Sequence, residues 1–582
     1  MENPAFSQKL KERKIGRTFV VYLGSAWVFI EAFNFLIDKY NWNAYILNVL
    51  ILLVIFGLPA TLIYTWFQRK FTGKAILFHS INAILAIAVI SYSLVKPEHL
   101  NATQLRLIKF RENQKKLASQ IQSLAILPFG NFTGDDNQAY LAAGMQDALI
   151  TELGQTGAIR VISRTSTLSY ADSQKSIKDI ASELHVDAVI EAALLEVQDN
   201  IRIQLKLINA FPEEQQLWTK TYDTNLGNIT NLYNQVLKNI SQEIQLTLSP
   251  DIQIRLDEER EVNPESYKAY LLGMYNIHLT TPEGIAKGME YLNEAIRIAP
   301  DEPFAYAGLA LGYLEIEHGF LATGNGYVKA AEAANQAVKL DSTMAEAHAA
   351  LAEINMYYFR NFKEGEKQYK KALDLNPNLA EAHYHYAYAL LLFGRQEEAV
   401  FEHELAYNVD PLNPYYTAWL GAMYTYVGRP EDGIQKALES MELLKDYPFG
   451  YWVLGEANLA LGKEDEAIEA HEKLAQIMPP CKWLLGYTYG LTGHKDKTEI
   501  ILNEYEQADT NCWNAFGLII LNSVLGNKDE AFKWLTYEPG HAWVPWLTIS
   551  NIDGFLTPAY KLLKDDVRYE DFVRRLNIPG QI

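Results

Sequence analysis

Apolar residues recur along this chain in three different rhythms. Near the start they come in unbroken runs, roughly 19–37, 45–67 and 75–95. At 1.5 Å per residue, a run of about 20 residues matches the ~30 Å hydrocarbon core of a bilayer, so the pattern predicts three transmembrane helices. Between 121 and 250 the rhythm changes to that of a small α/β domain. Ser123–Phe129, Ile159–Ser163, Ala188–Leu195 and Leu217–Tyr222 read as strands, and Ile201–Ile208 alternates apolar and polar residues as a half-buried strand does. Tyr140–Leu153, Ile177–Leu184 and Ile229–Leu248 carry helical spacing. Residues 96–120 are polar, with Leu105, Ile108 and Leu117 at helical intervals, and predict a short stalk.

The third rhythm fills 264–550. Gly288, Ala295 and Pro300 stand in the same relation as Gly365, Ala372 and Pro377, as Ala399, Ala406 and Pro411, and as Ala467, Leu474 and Pro479. A step of seven places two small side chains on one helix face, where a second helix can approach closely. The proline then ends the helix. The first small position recurs at 288, 330, 365, 399, 433, 467, about 498 and 531. Its later intervals settle at 34 residues, the period of the tetratricopeptide repeat (TPR), so about eight repeats are expected. Turn glycines at Gly394, Gly428, Gly462 and Gly493 agree. The expected architecture is multi-domain: a basic N-terminus (1–18), three membrane helices (19–95), the stalk, an α/β domain (121–250), an all-α solenoid (264–550) and a C-terminal cap (551–582).

Charge sharpens this picture. The 582 residues carry a formal net charge of −20, but the first 118 hold 15 Lys+Arg against 6 Asp+Glu, and the remainder 36 against 65. An acidic body repels phosphates, which argues against nucleic acid as a partner. A basic head beside apolar spans fits a lipid bilayer. Lys9, Lys11, Arg13, Lys14 and Arg17 precede the first span, the next loop holds only Lys39, and the following one holds Arg69, Lys70 and Lys74. This distribution places the N-terminus in the cytoplasm and, after three spans, the body in the periplasm. Glu31, inside the first span, either contacts another helix or subunit or stays wet near the outer interface. The two cysteines, Cys481 and Cys512, lie about one repeat apart; a disulfide is geometrically open to them, and two buried thiols are the favoured reading.

A family resemblance spans nearly the whole chain. Ala125-Ile126-Leu127-Pro128-Phe129, Asn131, Tyr140, Gly144, Ser163-Arg164-Thr165-Ser166, Tyr170, Ile180-Ala181, Leu207-Ile208-Asn209-Ala210, Trp218 and Tyr222-Asp223 resemble the TolB N-terminal domain. Trp27-Val28-Phe29-Ile30-Glu31 and Gly57-Leu58-Pro59-Ala60 resemble the membrane module of bacterial proteins that join such a domain to TPRs, as do the closing Leu562-Leu563-Lys564-Asp565-Asp566 residues. Relatives of that kind, including CadC-like regulators, carry a cytoplasmic nucleotide cyclase or winged-helix DNA-binding domain. The resemblance implies a periplasmic body. The 18 or so residues before the first span are too few for either effector, so neither activity is expected here. Ala192 departs from the family's usual glycine.

Candidate chemistry is sparse. Phosphate-binding loops, dinucleotide fingerprints and zinc-protease or serine-hydrolase motifs are missing, so no enzyme, cofactor or metal is expected. His383 and His385 lie two apart on a helix and face different sides, and Glu402-His403-Glu404 reads as surface charge. Arg164 is a possible anion contact or helix cap, with a salt bridge inside its own domain favoured over both. The better site is the groove that first helices of TPRs line. Its positions give Glu346, Glu353, Met356, Tyr357, Glu381, Tyr384, Tyr388, Leu391, Tyr415, Tyr426, Trp452 and Glu456, an acidic and aromatic surface. The partner expected there is another envelope or membrane protein offering Lys or Arg, with self-association also open. The function expected is a membrane-anchored periplasmic scaffold, with a sensory relay as the alternative.

Overall fold

Unbroken apolar sequence satisfies its backbone internally, as helix, when water is excluded. The computed structural model describes residues 14–40, 45–67, 76, 79–83, 121–131, 139–171, 173–197, 200–318, 325–508, 512–535 and 563–579. It divides into two units, Met1–Glu112 and Asn113–Ile582. In the first, the helices Ile15–Tyr40 and Tyr45–Trp66 pack together, and the Tyr22 hydroxyl donates to the Val54 carbonyl at 2.7 Å. Among the described residues one stretch, Ile15–Ala32, is long and apolar enough to cross a membrane, where the sequence led us to expect three. The expected span 45–67 coincides with the helix Tyr45–Trp66, while most of 75–95 and the stalk lie outside the described residues. Glu31 is exposed on the first helix.

The second unit begins with a mixed sheet whose strands are β1 (Ser123–Ile126), β2 (Gly130–Asn131), β3 (Arg160–Val161), β4 (Ala188–Val197), β5 (Asn200–Asn209) and β6 (Gln215–Thr224). The order is β3-β1-β4-β5-β6, with β2 also paired to β4. Helical crossovers through Ala139–Gly154 and Ile177–Glu183 force β1, β3 and β4 to run parallel, whereas short turns let β4, β5 and β6 run antiparallel. On β5 the alternation is read out directly: Ile201, Ile203, Leu205 and Leu207 are buried while Arg202 and Gln204 are exposed. The helix Ile229–Glu243 lays Leu232, Val236, Leu237 and Ile240 onto the same core.

Eight helix pairs follow among the described residues. The first helices are Pro264–Ile277, Pro303–His318, Ala345–Tyr357, Ala380–Leu392, Pro414–Tyr426, Pro448–Ala460, Lys482–Leu491 and Cys512–Leu525. Their partners are Pro282–Ile298, Asn325–Leu340, Phe362–Leu375, Gln396–Val409, Pro430–Leu443, Glu464–Ile477, Lys495–Gln507 and Lys528–Leu535. The small residues sit where backbones touch: a Cβ at Gly421 would lie 2.8 Å from the Gly433 carbonyl oxygen, and one at Gly433 as close to that of Gly421. Gly394, Gly428, Gly462, Gly493 and Gly526 take positive φ in the turn inside a pair, a conformation that glycine adopts without strain. Leu563, Tyr569, Phe572 and Leu576, around the helix Val567–Leu576, join the core of the later repeats. Cys481 is a buried free thiol with its sulfur 3.4 Å from that of Met478; the Cys512 side chain lies outside the described residues.

The α/β domain is docked on the solenoid through polar groups. The Asn378 amide donates to the Gly154 and Ile159 carbonyls at 3.0 and 3.1 Å and accepts from the Val161 N–H at 2.9 Å. The Ser166 hydroxyl donates to Asp410 at 2.5 Å and accepts from the Leu412 N–H at 2.8 Å. Ser163 N–H and Arg160 Nη1 donate to the Val409 and Asn408 carbonyls. The loops used, around 376–378 and 408–412, enter two consecutive first helices.

A candidate binding groove

Successive first helices touch along one face, and from the fourth repeat to the eighth their aromatic residues form a seam that crosses each boundary. The Tyr384 and Tyr415 hydroxyls are 3.0 Å apart. Ring centroids lie 5.7 Å apart for Tyr415 and Phe449, 5.6 Å for Trp419 and Trp452, 5.5 Å for Trp452 and Trp483, and 5.4 Å for Trp483 and Phe516. Most of these pairs are tilted or edge-on, the arrangement that ring quadrupoles favour.

This packing alters the expected groove. Tyr384 (7 % exposed), Tyr388 (6 %) and Trp452 (3 %) are core residues that join repeat to repeat, not open anchors. Met356, Leu391, Tyr426, Glu353 and Glu456 are buried too. The positions chosen are open in an isolated repeat, but the superhelix lays the aromatics of the next repeat over them. Glu346, Tyr357, Glu381 and Tyr415 remain half-buried, together with Tyr416, Trp419, Tyr447 and Phe449, which the positional rule missed. A signal for Trp419 was present: Trp419, Trp452, Trp483 and Phe516 recur at nearly the repeat interval.

The seam contains buried acids. Glu456 accepts from Trp452 Nε1 at 2.8 Å and from the Tyr426 hydroxyl at 3.1 Å, and burial pushes its carboxyl up to about 8 despite both bonds. Farther toward the α/β domain, three consecutive first helices bring together His318, Glu353 and His385. His318 Nε2 lies 2.6 Å from Glu353 Oε1, His385 Nε2 lies 3.7 Å from Glu353 Oε2, and the imidazoles stack at 5.6 Å. Burial opposes charge on His318, but Glu353 outweighs it and raises the imidazole to about 9. Burial lowers His385 to about 4, against the pull of Glu353. Burial, then Glu353 and Glu315, push Glu381 to about 8. No metal ligands were expected from the sequence, where these residues stand in three different repeats at unequal intervals.

The remaining candidates separate cleanly. His383 faces away from His385 and pairs with Glu402 at 2.6 Å. Glu402, His403 and Glu404 do face apart, but His403 is fully buried, its Nε2 3.2 Å from the Tyr416 carbonyl, which overturns the surface-charge reading for that residue. Glu404 accepts from the Tyr424 hydroxyl at 2.8 Å. Arg164 opens the short helix Arg164–Leu168, and its Nε is buried without a hydrogen-bond partner. Among the described residues no carboxylate forms the ion pair expected for it.

Comparison with known proteins agrees with this architecture. Residues 119–240 match the second domain of HilA/YgeH-like transcriptional regulators, and 368–401 match a tetratricopeptide repeat family. The chain is 27 % identical over 246 residues to the Rhizobium meliloti (strain 1021) protein named "Putative adenylate cyclase 3", covering 42 % of each chain. It is 24 % identical over 242 residues to the transcriptional regulator HilA of Salmonella typhimurium, covering 41 % of this chain and 42 % of that one. The chain thus spans less than half the length of these relatives. Among solved structures, PilW, a type IV pilus biogenesis factor, superposes on 38 % of this chain and 96 % of its own with a TM-score of 0.32 at 16 % identity. Pseudomonas aeruginosa PilF superposes on 47 % and 97 % with a TM-score of 0.26 at 18 % identity. At these scores no function follows from the superpositions.

Proposed function

We propose that this TPR-repeat chain is a membrane-anchored scaffold that binds other envelope proteins through the inner face of its solenoid. The observation that carries the reading is the half-buried strip of Tyr415, Trp419, Tyr447 and Phe449 beside the acids Glu346 and Glu381. Rigid aromatics contribute large contact area at small entropic cost, and the acids select a partner segment bearing Lys or Arg. In this reading the body lies in the periplasm, the α/β domain is a TolB-N-like adaptor held on the repeats, and the chain has no catalytic activity of its own.

A regulatory variant of the same reading is favoured by one observation. The α/β domain matches part of a transcriptional regulator, and it hydrogen-bonds to loops that enter the groove helices. Occupancy of the groove would then be sensed by the α/β domain and passed to a separate effector.

Cross-linking in native membranes, followed by capture of the full chain, tests the scaffold. Wild type should bring down a defined protein set. The double variant Tyr415→Ala, Trp419→Ala should lose that set while retaining a cooperative thermal melt. An unchanged set with the folded variant would contradict a role for this strip.

A further inference from the structure

Near the Glu346 end of the groove, the buried polar cluster around Glu353 has only imidazoles to answer its charge. Glu353 is 2 % exposed. Glu315 lies one turn before His318 and Glu381 one turn before His385, so both carboxyls share a helix face with a histidine of the cluster. Among the described residues no Lys or Arg forms an ion pair with any of the three acids; the partners of Glu353 are the two imidazoles. His318 can satisfy Glu353 by taking a proton, but that leaves His385 without an answer. Its Nδ1 is buried with no hydrogen-bond partner, and its Nε2 stands 3.7 Å from the nearest carboxylate oxygen, beyond hydrogen-bond reach. Leaving a buried imidazole nitrogen unpaired is costly, and a bound water or ion is one way such a group is satisfied.

We propose that His318, Glu353 and His385 form a binding site for one divalent transition-metal ion of the Zn²⁺ class. One donor atom from each residue lies within 4.8 Å of the other two. Tetrahedral zinc, with bonds of about 2.0–2.1 Å, needs donors about 3.3 Å apart. The 2.6 Å His318–Glu353 approach must open, the 3.7 Å His385–Glu353 one must close, and donors lying up to 4.8 Å apart must draw together by up to about 1.5 Å, within reach of side-chain rotation. Two imidazoles and a carboxylate are a borderline donor set, which suits zinc and its neighbours and not calcium or magnesium. No fourth side-chain donor converges with these three among the described residues, so water would fill the remaining position. The helices Pro303–His318, Ala345–Tyr357 and Ala380–Leu392 belong to consecutive repeats, so the ion would staple three of them together at the groove surface.

The experiment uses the full chain in detergent, stripped with a chelator and dialysed. Zn²⁺ titrated calorimetrically should bind at one equivalent per chain, and Co²⁺ in its place should give the visible d–d bands of a four-coordinate nitrogen and oxygen site. His385→Ala and Glu353→Gln should each weaken binding by roughly a hundredfold or more, since even outer-shell losses cost 10–100-fold. His494→Ala, at an exposed histidine elsewhere, should change nothing. Zn²⁺ should also raise the melting temperature of wild type but not of Glu353→Gln. Failure of stripped wild type to take up one equivalent overturns the proposal whatever the variants do, and so does full affinity in a folded His385→Ala, Glu353→Gln double variant.

Discussion

Glu456 shows how one buried carboxyl shapes the whole molecule's response to pH. Its folded-state pKa of about 8 lies far above the ordinary carboxyl range, because burial disfavours the charged form more than Trp452 and Tyr426 favour it. Between the ordinary carboxyl range and pH 8 the folded chain therefore holds a proton that the unfolded chain has released. The linked stability is fully present below the unfolded pKa of about 4.3 and is lost as pH rises toward 8. Glu456→Gln keeps the shape and removes the proton. Denaturant titrations at pH 5 and pH 8 should show the wild type losing up to a few kcal/mol more than the variant over that interval; equal losses would show that Glu456 does not titrate in this range. Single residues were also where the sequence was hardest to read. His403 lies four residues after the small position Ala399, as His471 does after Ala467, and both are buried. That offset points inward in a TPR helix, so the repeat frame already held the signal that the local Glu402-His403-Glu404 pattern obscured.

Helix pairing was the most legible level, because small residues at seven-residue steps and prolines just past helix ends act locally. The structure gives this pattern a steric cause at Gly421 and Gly433, whose Cα atoms each face the other's carbonyl at a helix crossing. Replacing a helical glycine by alanine ordinarily gains about 1 kcal/mol. Here the new methyl group would press on backbone 2.8 Å away, which cannot yield without moving a helix, and on the Val453 and Lys436 side chains. Gly421→Ala should therefore lower stability by about 1–3 kcal/mol net of propensity, seen as a lower melting temperature. A stabilised variant would mean that the crossing relaxes and that close backbone approach is not what these positions serve. The strands of the α/β domain were equally readable, since β5 alternates openly and β4 is an apolar run broken only by Glu191 and Glu196. The groove was not, because its lining depends on how far each repeat turns relative to the last, which no single repeat encodes.

At the scale of the whole molecule, the docking of the α/β domain escaped the sequence for the same kind of reason. Asn378, Asp410 and Ser166 are unremarkable loop and cap residues until the fold brings positions more than 200 apart into hydrogen-bond distance. Once in place, these contacts tie the domain to the loops that set the entry of two groove helices. In the function proposed above, the solenoid with its docked α/β domain holds an aromatic and acidic strip toward a basic partner. Site-specific photo-cross-linking tests that claim most directly. A photoreactive residue replacing Phe449 on the strip, and one replacing the exposed Phe401 on a second helix, are compared in intact cells expressing the full chain. The account predicts discrete cross-linked partners from position 449 that are absent from position 401 and that are lost on adding Trp419→Ala. The same adducts from both positions, or none from position 449, would contradict it.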